Sequence, residues 1–158
     1  KRPRINYLLA DRLVEAGRLG QKSGAGYYRY DPETRARQED SVVADIIEAT
    51  RAELGITARQ LTAEEIVDRL TLALVNEGAL ILEEGIAQRA SDIDVVYCHG
   101  YGFPRFRGGP MHAAEARGLS SVVDRITQFR QILNPDNWAL APLLERLASN
   151  GGSLKGAS

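Results

Sequence analysis

The sequence predicts an all-α protein, and three observations carry that prediction. Apolar residues recur at helical spacing through most of the 158 residues. Few segments alternate with a period of two. Capping and stop residues stand where the periodic runs begin or end, as at Gly17, Gly55 and the Thr62–Glu65 pair.

The first run, Ile5 to Ala16, places Leu8, Leu9, Leu13 and Val14 near helical spacing and stops at Gly17. A glycine-rich stretch from Gly20 to Gly26 follows. Tyr27-Tyr28-Arg29-Tyr30 comes next, so one short extended piece is expected over Gly26 to Tyr30. Asp31-Pro32 signals a turn inside a polar linker. From Ser41, the residues Val42, Val43, Ile46 and Ile47 share one side of a helix that ends at Gly55. Thr62 and Glu65 form a capping box for a long helix read through to about Gln88. Its apolar residues, from Ile66 to Leu82, lie all round the circumference, so burial on most sides is expected. Mid-helix Gly78 costs about 1 kcal/mol against alanine, which a close crossing by another helix would offset. Ser91 is expected to cap a short helical turn, with Asp92 and Asp94 near its positive end. Further helices are expected around Met111 to Ala116, Ser120 to Leu133 and Leu140 to Ser149.

Composition narrows the function classes. Twenty basic and 21 acidic side chains leave a net charge of −1, with no general attraction to nucleic acid or an anionic membrane. Cys98 is the only cysteine, which excludes an intrachain disulfide and fits a reducing compartment. Basic Lys1-Arg2-Pro3-Arg4 leads into an amphipathic stretch rather than the apolar run of a signal peptide. The apolar run Leu72 to Leu82 is broken by Asn76 and Glu77, so no membrane span is expected. A soluble, cytoplasmic protein is the expectation.

Candidate sites divide into chemical and structural readings. The Gly20–Gly26 loop fails as a phosphate loop, because Gln21 separates Gly20 from Lys22 and a helix precedes it. It fails as a dinucleotide fingerprint because Arg29 occupies the third glycine position. Glycines there suit a tight chain reversal. Glu77 reads as a general base or as a core ion paired with Arg69, Arg89 or a loop arginine, and the structural reading is favoured. Cys98, His99 and His112 form neither a credible nucleophile–base pair nor a zinc site. Tyr101, Phe103, Arg105, Phe106 and Arg107, with Tyr27 and Tyr28, are the candidate interface, since aromatic residues and arginine concentrate at contact hot spots. No catalytic, cofactor-binding or metal-binding residue is assigned.

An internal repeat adds to this picture. Residues Asp11 to Gly17 parallel Glu145 to Gly151, each after a leucine pair. A genuine repeat implies the tail of one unit followed by a complete second unit.

Several punctuated pieces occur in fixed order: Asp68-Arg69-Leu70, Asn76-Glu77-Gly78-Ala79, Glu83-Glu84-Gly85-Ile86-Ala87, Asp92-Ile93-Asp94, Gly100-Tyr101-Gly102-Phe103-Pro104 and Arg107-Gly108-Gly109-Pro110. Together with Gly17 to Tyr28, they resemble the C-terminal helical domains of 3-hydroxyacyl-CoA dehydrogenases, most of all the multifunctional fatty-acid β-oxidation enzymes. The resemblance implies a helical domain like that of the 6-phosphogluconate and 3-hydroxyacyl-CoA dehydrogenases. It implies residues 1–30 as the tail of a first helical domain, 31–40 as linker, 41–150 as a second helical domain and 151–158 as a flexible tail. In such enzymes the catalytic residues and the NAD site lie in a nucleotide-binding domain, so the chain is expected to hold no cofactor while its parent uses NAD. The implied partners are upstream dehydrogenase and hydratase domains, acyl-CoA as the parent's substrate, and an oligomer. Where the first helical domain of the family carries an Asn-Arg pair near the reacting carbonyl, this chain reads Asp68-Arg69. An ionised aspartate offers no amide donor and repels a developing oxyanion. A non-catalytic duplicate follows, with an exposed apolar patch expected around Tyr7, Leu9, Tyr27 and Tyr28. The alternative is a free-standing helical interaction module.

Overall fold

A computed structural model describes residues 7–133 and 135–156. The proposed helix start at Ile5 and the final residues 157–158 lie outside them. Packing divides the described residues into two units, 7–60 and 61–156.

The first unit runs α1 (Leu8–Glu15), β1 (Arg29–Tyr30), β2 (Arg37–Gln38) and α2 (Ser41–Leu54). The extended piece foreseen at Gly26 to Tyr30 is real, but it has a partner. β1 pairs antiparallel with β2, Arg29 opposite Gln38 and Tyr30 opposite Arg37. Asp31 makes the turn between them: its Oδ1 accepts the N–H groups of Glu33 and Thr34 at 3.1 and 2.7 Å. The 31–40 stretch is therefore a hairpin rather than a plain linker. α1 and α2 pack together, and the structural division falls after Gln60. Two-residue strands carry no periodicity, which is why the sequence pattern conceals them. Asp40 caps α2 by accepting the Val42 N–H at 3.1 Å, and Arg18 donates to the same carboxylate at 2.8 Å.

The second unit is built around one long helix, α3 (Ala63–Glu83). α4 (Ala90–Gly100), α5 (Pro110–Arg117), α6 (Leu119–Ile132) and α7 (Pro142–Asn150) all pack on it. Thr62 begins α3 as the capping box requires, its Oγ1 accepting the Glu65 N–H at 3.1 Å. From Leu72 onward the inward side of α3 is core: Leu72, Val75, Ala79 and Leu82 meet Ile93, Met111, Ile126, Phe129 and Leu144. Its first turns are not enclosed. Ile66, Val67 and Leu70 stay 44–66% exposed, so burial on most sides holds only for the C-terminal part. Gly78 lies where α5 crosses, and a β-carbon there would stand 2.5 Å from the Met111 sulfur.

α3 stops at Glu83, short of Gln88. Gly85 turns to φ +71°, and the Ile86 N–H donates back to the Ile81 carbonyl at 2.9 Å. α4 starts at Ala90 with Arg89 at the cap position, so Ser91 is helical rather than capping, and the expected short turn is an 11-residue helix. The repeat's two copies lie at the ends of α1 and α7. In each, the residue after glycine donates to the equivalent leucine carbonyl, Arg18 to Leu13 and Gly152 to Leu147. The same bond closes α2 and α3, Ile56 to Arg51 and Ile86 to Ile81. The motif thus marks glycine-terminated helices generally and adds no weight to the repeat.

The C-terminal segment corrects another expectation. Residues 151–156 are docked, not a flexible tail: Leu154 is fully buried in the core. The Glu115 carboxylate accepts the Leu154 N–H and, at 3.0 Å, the Ser153 hydroxyl.

Candidate site at the head of the long helix

Asp68 sits in the second turn of α3 and is only 5% exposed. Its Oδ1 accepts Arg117 Nη1 at 2.5 Å; its Oδ2 accepts Arg117 Nη2 at 3.2 Å and Arg125 Nε at 2.9 Å. Arg117 is the last residue of α5 and reaches the carboxylate as a two-pronged fork, the geometry guanidinium groups favour. Arg125 comes from α6, also donates to Gln128 at 3.0 Å, and lies 4.7 Å from the Phe129 ring centroid. The Arg117 hydrogen bonds hold the Asp68 carboxyl below its ordinary range, with Arg125 adding to the effect and burial opposing it. The same partnership pushes Arg117 further up.

This arrangement determines what the carboxylate can do. A general base must offer a free lone pair and titrate near the working pH. Asp68 is shifted the other way and makes three hydrogen bonds to fixed cations. It ties α3, α5 and α6 together. Arg69, the second member of the pair, turns to Glu65 at 2.7 Å, and its Nε is buried without a hydrogen-bond partner.

Other predicted residues distribute as follows. Asn76 is buried and structural: its amide donates to the Ala139 carbonyl at 2.8 Å, and its Oδ1 accepts the Ala141 N–H at 2.9 Å. Glu77 is half-buried, and two of its proposed partners hold other carboxylates, Arg69 with Glu65 and Arg89 with Asp92. Asp94 does not serve its own helix. It caps α5, accepting the Met111 and His112 N–H groups at 2.8 and 3.1 Å, while burial pushes its carboxyl upward. Gly109 allows this approach: it takes φ +106°, and a β-carbon would lie 2.3 Å from Asp94 Oδ1. Among the described residues, no group of His, Cys, Asp and Glu could hold a metal ion.

The candidate interface splits. Tyr101 and Phe106 are 76% and 87% exposed, and Arg105 and Arg107 are exposed beside them. Phe103 is buried, so it anchors the loop from within and leaves the proposed surface. In the first unit Tyr7, Tyr27 and Tyr28 are exposed, whereas Leu9 is half-buried. The Gly20–Gly26 loop is a chain reversal, with Gly20 and Gly24 at positive φ and the Gly20 N–H donating to the Ala25 carbonyl at 2.7 Å. Nothing in the sequence pattern singles out Arg117, Arg125 or Glu115. The available signal was general: a buried helical aspartate requires cations.

Residues 66–157 match the family described as 3-hydroxyacyl-CoA dehydrogenase, C-terminal domain. The chain belongs to that family. Its relatives include the peroxisomal bifunctional enzymes of Danio rerio and Homo sapiens, each 42% identical over 146 and 147 residues. Those alignments cover 90% of this chain and 20% of each relative, so the chain spans about a fifth of their length. The dehydrogenase part of multifunctional enzyme 1 from C. elegans shares the fold, with a TM-score of 0.65 at 24% identity over 91% of this chain and 33% of that one. The helical architecture is that of a 3-hydroxyacyl-CoA dehydrogenase C-terminal domain. Among its described residues, no helix is long and apolar enough to cross a membrane.

Proposed function

We propose that this chain is the C-terminal part of a multifunctional fatty-acid β-oxidation enzyme and acts there as a non-catalytic packing and assembly domain. The parent would couple enoyl-CoA hydration to NAD-dependent oxidation of 3-hydroxyacyl-CoA. Its NAD and catalytic residues would lie in domains outside this sequence. The observation that carries the reading is the Asp68 carboxylate, buried and bonded to Arg117 and Arg125, at the place where, by the resemblance, the family's first helical domain carries the asparagine of an Asn-Arg pair. A side chain so engaged cannot polarise a carbonyl. Tyr101, Arg105, Phe106 and Arg107, with Tyr27 and Tyr28, would contact the parent's other domains or a second copy. The lone cysteine fits a reducing compartment, cytoplasmic or peroxisomal.

The test is NADH oxidation by the purified chain with acetoacetyl-CoA, followed at the nicotinamide absorbance. No turnover above buffer is expected. Turnover that scales with protein concentration would defeat the reading and require a nucleotide site in these residues.

A further inference from the structure

A cavity of about 150 Å³ opens beside the Asp68 cluster in the second unit. Its lining includes the buried apolar side chains Leu72, Val75 and Phe103, all at most 9% exposed. Arg107, Arg117, Thr71 and the arginine-bound Asp68 carboxylate form the polar part of its lining. Two features fix what would suit it. Asp68 faces two guanidinium groups and so balances only one of them, although Glu64 adds a more distant negative charge toward Arg117. Arg107 has no carboxylate partner among the described residues, its charge lying 5.6 Å from the exposed Phe106 ring. The lining therefore joins apolar side chains to a cluster in which the guanidinium groups outnumber the carboxylate.

We propose that the cavity between Arg107 and Arg117 binds a short aliphatic carboxylate. The head group would accept hydrogen bonds from Arg107 and the free face of Arg117, and the tail would lie against Phe103 and Val75. A volume of roughly 150 Å³ accommodates a benzene-sized body, which sets the tail at about four to six carbons. The inference is independent of the role proposed for the parent enzyme.

Hexanoate is the probe, with hexanol as the neutral chain of equal length and acetate as the head group alone, titrated into the purified chain by ligand-observed NMR. Hexanoate should saturate, with hexanol and acetate each weaker by about tenfold or more, the scale of one charge-assisted hydrogen bond or of the buried tail. Arg107→Gln should weaken hexanoate by about tenfold and leave hexanol unchanged, and Arg107→Lys should recover part of the loss. Equal binding of hexanol and hexanoate, no saturation by hexanoate, or an unchanged Arg107→Gln would overturn the proposal. Should Arg107→Gln fail to fold, amide shifts in the wild-type chain decide: perturbation at Thr71 and Ala113 upholds the site, and perturbation elsewhere overturns it.

Discussion

At the residue scale, Asp68 shows how burial converts a charge into a fastener. Removing one partner of a fully buried ion pair costs about 3–5 kcal/mol, and the partial exposure of the Arg117 and Arg125 side chains, 33% and 28%, lowers that here. Asp68→Asn should lose about 1–3 kcal/mol in urea denaturation at neutral pH. Its folded-state pKa lies below the unfolded one, so the stabilisation is complete above about pH 4 and is lost as pH falls through the folded value. The gap between wild type and Asp68→Asn should therefore narrow on acidification, and a constant gap down to acid pH would count against the ion pair. Gly109→Ala should cost about 3 kcal/mol through the combined strain of a positive φ and the collision with Asp94, read as a lower urea midpoint. The sequence exposed Asp68 as a position of interest but not its partners, since Arg117 and Arg125 lie 49 and 57 residues away. Nor could it separate Phe103 from Phe106. The two share a motif, and only the path of the loop decides which one turns inward.

At the element scale, helices were legible and their junctions were not. α2 and the start of α3 follow from local chemistry, Gly55 and the Thr62 cap. The end of α3 depends on where Gly85 reverses the chain, and the hairpin depends on a two-residue pairing; neither leaves a periodic signature. Asn76 carries most of the consequence here, since it satisfies both a donor and an acceptor of the segment between α6 and α7. Asn76→Leu leaves those groups buried and unpaired, at about 1–3 kcal/mol each. Hydrogen exchange should show faster exchange at the Ala141 amide in that variant, and unchanged protection would mean the clamp is dispensable.

At the scale of the whole molecule, the buried cluster of the second unit draws, among the described residues, only on those between Leu72 and Leu154. A chain of residues 61–158 should accordingly unfold in one cooperative transition by circular dichroism. A broad, non-cooperative melt would show that the first unit is needed. Leu154→Ala should destabilise that same transition by about 2–5 kcal/mol, as emptying a filled core position does. The fold class was readable from the sequence because one long apolar helix dictates it, whereas the docking of residues 151–156 was hidden in a polar, glycine-rich composition that ordinarily signals a loose end. That docking changes how the molecule could be observed from outside. A fluorophore attached at Lys155 hangs from a stem pinned by Leu154 and Glu115, so its anisotropy decay should follow the slow tumbling of the helical body rather than a rapid local wobble.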